Sequence, residues 1–66
     1  MLGHRFADRV RLTDRWIETA ADSGMGIDEA ATMMDQRIRQ IAEEEGCDLG
    51  EAHVRALARL IAEHGR

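Results

Sequence analysis

Apolar residues recur along this chain at steps of three and four positions, and glycines interrupt the pattern twice. Such steps place side chains on one face of an α-helix, whereas a strand would alternate at every second position. Gly24 with Gly26, and then Gly46, separate three periodic segments. The pattern therefore predicts an all-α fold, a compact three-helix bundle with helices at about residues 4–21, 28–45 and 49–64.

The residues at the segment ends support this division. Ser23 and Gly24 follow the first segment, and glycine readily adopts the left-handed conformation that ends many helices. Asp28 is a good N-cap for the second helix. Asp48, followed three residues later by Glu51, predicts a capping box at the start of the third helix.

The first predicted helix carries two kinds of stripe. Its core stripe consists of Phe6, Val10, Thr13, Ile17 and Ala20. Leu12 and Trp16 lie on the flank of this stripe, beside Arg5 and Arg9. An aromatic side chain with arginines beside it is typical of an interface hot spot. Two interpretations stay open: the two apolar residues widen the core contact, or all four residues form a stripe that binds another protein.

The third predicted helix is apolar over more than half of its circumference. Its apolar residues are Leu49, Ala52, Val54, Ala56, Leu57, Ala58, Leu60 and Ile61. A monomer would expose part of so wide a face, so we expect Val54 and Ile61 to contribute to partner binding. A chain of this length buries only about 60% of its unfolded surface, which also favours a homodimer.

Composition narrows the class of protein. Sixty-six residues and 7.4 kDa allow one helical domain, residues 1–66. The chain has no long apolar run and no secretory leader, so we expect a cytoplasmic protein without membrane contact. All nine basic residues are arginine, a bias typical of GC-rich bacterial genomes, which suggests a bacterial or phage origin.

Residues that could support catalysis or metal binding are few. The chain has a single cysteine, Cys47, a single serine, Ser23, and three histidines. His53 and His64 lie eleven residues apart, about 16 Å along a helix, which is too far to share one metal ion. We therefore expect no enzymatic activity, no cofactor and no metal.

Nucleic-acid binding is the alternative that the sequence leaves open. Residues 40–60 partly resemble a helix-turn-helix motif, with Ile41, Ala42 and Gly46 at the expected places, but Glu45 falls at a position that the motif buries. Residues 37–64 resemble the two-helix half of ribbon-helix-helix repressors, a family that also needs a preceding strand, whereas residues 26–34 are typical of a helix start. A basic segment lies near the beginning of the chain. Its arginines are Arg5, Arg9, Arg11 and Arg15.

Overall, an acidic chain with a net charge of -4 disfavours nucleic acid as the main partner. We interpret the sequence as a small non-enzymatic regulatory or adaptor protein that binds another protein. The binding surface would combine the stripe on the first helix with the wide apolar face of the third. The alternative is a DNA-binding transcriptional regulator that uses the N-terminal arginines.

Overall fold

Three α-helices joined by two short turns form the fold. The structure, a computed structural model, describes residues 6–65, and side-chain burial from residue 8 onward. Helix α1 spans Phe6–Asp22, α2 spans Ile27–Glu45 and α3 spans Leu49–His64. No strand occurs in residues 6–65. The predicted three-helix bundle is confirmed, while the start of the first helix at His4 lies outside the described residues.

Glycine ends the first two helices, as the sequence predicts. Gly24 has a φ of 86°, and its N–H donates to Ala21 O while the N–H of Met25 donates to Ala20 O. These two bonds form a Schellman motif, which satisfies carbonyls that the helix leaves open. Gly46 has a φ of 65° and donates its N–H to Ala42 O. Both turns therefore depend on a left-handed residue.

The starts of α2 and α3 differ from each other. The predicted N-cap Asp28 is wrong, because α2 begins at Ile27 with Gly26 as an N-cap that offers no side chain. Asp28 instead lies in the first turn, where its charge is favourable near the positive end of the helix. In α3 the prediction is confirmed for the cap itself, since Asp48 accepts a 2.8 Å hydrogen bond from the N–H of Glu51.

The main core lies where all three helices meet. Its fully buried residues are Trp16, Ala20, Ala30, Leu57 and Leu60. Trp16 is 0% exposed, and its Nε1 donates a 3.0 Å hydrogen bond to Ala30 O. Trp16 is the largest fully buried side chain of this core, and the hydrogen bond removes the cost of burying its N–H. Three methionines fill the space around it: Met25, Met33 and Met34.

A second, smaller core joins α2 and α3 near their connecting turn. It contains Ile41, Ala52 and Ala56, with Ile38 and Cys47 packed against it. Helix α3 contacts both other helices extensively, whereas α1 and α2 contact each other less. Because α3 packs on two sides, its residues Ala52, Ala56, Leu57 and Leu60 are buried inside one chain, while Leu49 stays exposed. Part of the width on which we based the homodimer prediction is therefore explained by the fold itself.

Ion pairs between exposed or half-buried side chains link α2 to α3. Arg37 donates two hydrogen bonds of 2.9 Å to the carboxylate of Glu63. Glu45, at the end of α2, accepts from Arg55 at 2.6 Å and lies 2.8 Å from a guanidinium nitrogen of Arg59. The hydrogen bond from Arg59 is the main cause that lowers the pKa of Glu45. The negative charge of Glu45, the last residue of α2, is thus paired within the chain.

Candidate functional site

Trp16 is not part of an exposed stripe. The hypothesis that it anchors a partner is wrong for this structure, because its side chain is completely buried beneath the chain's own helices. Leu12 is half-buried and packs against the same core. Arg9 is half-buried too, and its Nη1 lies 3.1 Å from where a Cβ on Gly50 would be, at the start of α3. Arg5 lies outside the described residues.

The other residues predicted to bind partners or nucleic acid differ in their exposure. Val54 is half-buried, and Ile61 is half-buried against the main core. Arg11 and Arg15 are exposed on α1. Of the three described arginines of this segment, Arg9 lies against the start of α3, whereas Arg11 and Arg15 point away from the core as exposed side chains.

A different surface brings apolar and charged side chains together around His53. Two hollows meet at this residue. One is lined by Arg9, Val10, Thr13 and Asp14 of α1 together with His53. The other is lined by Met34, Asp35, Ile38 and Arg39 of α2 together with Leu49 and His53 of α3. We call the combined surface the His53 groove; α1 and α2 form its sides and the first turns of α3 form its floor.

Exposed apolar residues distinguish this groove from the rest of the described surface. Among the described residues, three large apolar side chains are exposed: Val10 at 42%, Ile27 at 68% and Leu49 at 65%. Two of them, Val10 and Leu49, line the His53 groove. Half-buried Met34 and Ile38 line the same hollow as Leu49. Exposed apolar groups that cluster and have charged neighbours are typical of a protein-binding site.

His53 lies at the floor of the groove, where its surroundings disfavour the charged imidazolium. Thr13 donates its hydroxyl hydrogen to Arg9 O at 2.8 Å, and its Oγ1 lies 3.3 Å from Nε2 of His53. Since a hydroxyl has only one hydrogen, Nε2 is the donor of the second contact. Burial, and then the positive charge of Arg9, lower the pKa of His53, while Asp35 opposes them. The imidazole therefore contributes a polar surface whose charged form is disfavoured.

The sides of the groove carry both signs of charge. Arg9 and Asp14 belong to α1, and Asp35 and Arg39 belong to α2. Two guanidinium groups and two carboxylates give this surface no net formal charge, although the whole chain carries -4. The groove thus combines apolar side chains with charges of both signs.

Sequence reasoning missed this site because it assigned most of its residues to the core. Val10, Thr13, Met34, Ile38 and Leu49 all have the helical spacing of core residues. The available signal was polar: Thr13 interrupts the predicted stripe of α1, and His53 interrupts that of α3. A polar side chain within an apolar stripe marks a place where two faces do not close completely against each other.

Other chemical sites are not evident in residues 6–65. No group of three or more His, Cys, Asp or Glu side chains there is placed to hold a metal ion. Cys47 is half-buried against Ile41, and His64 packs on Trp16 with ring centroids 5.4 Å apart. None of the three described helices combines the length and the apolar character that crossing a membrane would need.

Comparison with known proteins gives no relative for this chain. No protein-family model, no curated protein and no solved structure matches it.

Proposed function

We propose that this chain is a small non-enzymatic regulatory or adaptor protein that acts by protein–protein binding through the His53 groove. The observation that carries the proposal is that each of the two hollows that share His53 has a substantially exposed apolar residue in its lining, Val10 in one and Leu49, beside half-buried Met34 and Ile38, in the other. Exposed apolar surface of this kind is stabilised when a partner covers it. We place this regulator in the cytoplasm of a bacterium or in a phage-infected cell.

The expected occupant is a helix that presents apolar side chains along one face. Helices line the groove on its sides and floor, and an amphipathic helix inserts its apolar residues into helix-lined grooves at steps of three and four. The balanced charges of Arg9, Asp14, Asp35 and Arg39 favour a helix that carries both acidic and basic residues beside that face. A strongly basic or strongly acidic partner would meet repulsion on either side.

Site-specific photocrosslinking tests this function in the cells that naturally make the protein. A photoreactive amino acid replaces Leu49 in the groove, and the matched control replaces Ile27. Both are the first residue of their helix and both are about two-thirds exposed, but Ile27 lies outside the groove. We expect a discrete adduct from position 49 and none from position 27, because only the groove would be covered.

A second substitution shows whether the adduct depends on the groove. With the crosslinker at position 49, Val10→Asp should remove the adduct, since a charge would be buried under the partner. Equal adducts from positions 49 and 27, or an adduct that Val10→Asp leaves unchanged, would overturn the proposal. The mass of the adduct then separates a second copy of the 7.4 kDa chain from a larger protein.

A further inference from the structure

We propose that the helix occupying the His53 groove is α2 of a second copy of this chain, packed antiparallel in a two-fold symmetric homodimer. This inference rests on the proposed function and names the occupant of the same surface. It is carried by the order of charges along α2, by the exposed apolar residues beside them and by the size of the face.

Two copies of α2 bring Asp35 and Arg39 together as opposite charges when the helices pack antiparallel, but not when they pack parallel. Asp35 and Arg39 are exposed and lie four residues apart, about one helical turn. In an antiparallel pair with the two-fold axis level with residue 37, Asp35 of each copy lies level with Arg39 of the other. A parallel pair would instead place Asp35 beside Asp35 and Arg39 beside Arg39. Opposite charges therefore select the antiparallel, isologous arrangement.

The same arrangement covers the apolar part of the groove. Ile38 lies between Asp35 and Arg39 in sequence and lines the groove with them, next to the exposed side chain of Leu49. An antiparallel α2 from a second copy would place its own Ile38 against these residues. The apolar contact would then lie at the centre and the charges at the edge, as in most stable interfaces.

The dimensions of the molecule agree with an interface of ordinary size. The Cα atoms extend over 34 × 24 × 20 Å, and residues of all three helices line the groove. A second copy covering most of this face would bury roughly 800 Å² on each partner, which is the area that standard protein interfaces bury. The neutral balance of charge at the groove also allows two chains of net charge -4 to meet there.

Charge reversal on α2, followed by sedimentation velocity, tests the homodimer. The wild-type chain should sediment as a dimer at tens of micromolar. In a dimer of Asp35→Arg, positions 35 and 39 of the two α2 helices carry four arginines, and in a dimer of Arg39→Asp they carry four aspartates. The dissociation constant of each variant dimer should therefore rise at least about tenfold. An equimolar mixture of the two variants should recover a dimer containing one copy of each. A groove that holds a foreign helix would give no such recovery.

The control is Arg15→Asp, which makes the same charge change at an exposed position of α1 that does not line the groove. It should leave the dimer unchanged. Circular dichroism melts of all variants establish that each is folded at the temperature of sedimentation. A monomeric wild type, or a mixture that stays monomeric, would overturn the homodimer. If position 49 still gave a larger, groove-dependent adduct in cells, the proposed function would stand with a different partner.

Discussion

At the scale of single residues, Trp16 decides how α1 is oriented in the bundle. The helical spacing indicates a core stripe centred on Val10, Thr13 and Ile17, with Trp16 on its flank. The structure turns the helix so that Trp16 and Ala20 are buried while Val10 is 42% exposed. Helical spacing alone treats every apolar residue alike. Burying an indole ring, however, takes far more apolar surface out of water than burying a valine side chain does, so the helix orientation that buries Trp16 is the more stable one.

Replacing Trp16 should therefore damage folding directly. Trp16→Ala removes the largest fully buried side chain and its hydrogen bond to Ala30 O, so we expect it to lower the free energy of unfolding by about 3 to 5 kcal/mol. Trp16→Phe keeps much of the ring and should cost less, about 1 to 2 kcal/mol. Circular dichroism melts measure both. A Trp16→Ala protein that melted like the wild type would contradict the burial of this residue.

At the scale of elements, helix identity and helix ends follow from local rules more reliably than helix orientation does. Gly24, Gly46 and Asp48 end or begin helices as predicted, because a left-handed glycine and a capping carboxylate act within one turn of chain. Asp28 failed as a cap because Gly26, in an extended conformation, already precedes the helix. Which face of each helix is buried depends on the other helices, so local rules cannot supply it.

Two glycines in the turn between α1 and α2 should respond oppositely to substitution. A Cβ at either Gly24 or Gly26 would meet nothing within 4 Å, so packing is the same for both. Gly24 has a φ of 86°, and Gly24→Ala should destabilise the fold by about 1 kcal/mol through backbone strain alone. Gly26 has a φ of -74° at an N-cap without a side chain. Gly26→Ser should stabilise the fold by about 0.5 kcal/mol.

Urea unfolding of both glycine variants, followed by circular dichroism, measures the two changes. The double variant should show the sum of the two effects, provided that the two positions do not share a contact. If Gly24→Ala and Gly26→Ser changed the midpoint in the same direction, the assignment of the left-handed residue and of the N-cap in this turn would be wrong.

At the scale of the whole molecule, the candidate site depends on which pair of helices remains partly open. Helix α3 packs against both neighbours, and α1 and α2 leave the His53 groove between them. The sequence predicts three amphipathic helices but carries no local signal for how far two of them separate. That is why the helical spacing of Leu49 and Ile38 does not distinguish a groove residue from a core residue.

The distribution of charge over the molecule predicts weak binding to duplex DNA. Arg37 and Arg55 are bound to carboxylates of Glu63 and Glu45, so they would have to exchange those partners to reach a phosphate. The net charge of -4 adds a general repulsion from the duplex. We therefore expect fluorescence anisotropy with a labelled duplex to show no dissociation constant below about 10 µM at about 150 mM salt.

Binding at lower salt should be equally weak for unrelated sequences and should decline further in the double variant Arg11→Ala with Arg15→Ala. Sub-micromolar binding to one duplex, with a steep dependence on salt, would instead establish the N-terminal arginines as a DNA-binding surface, because only several phosphate contacts produce that dependence.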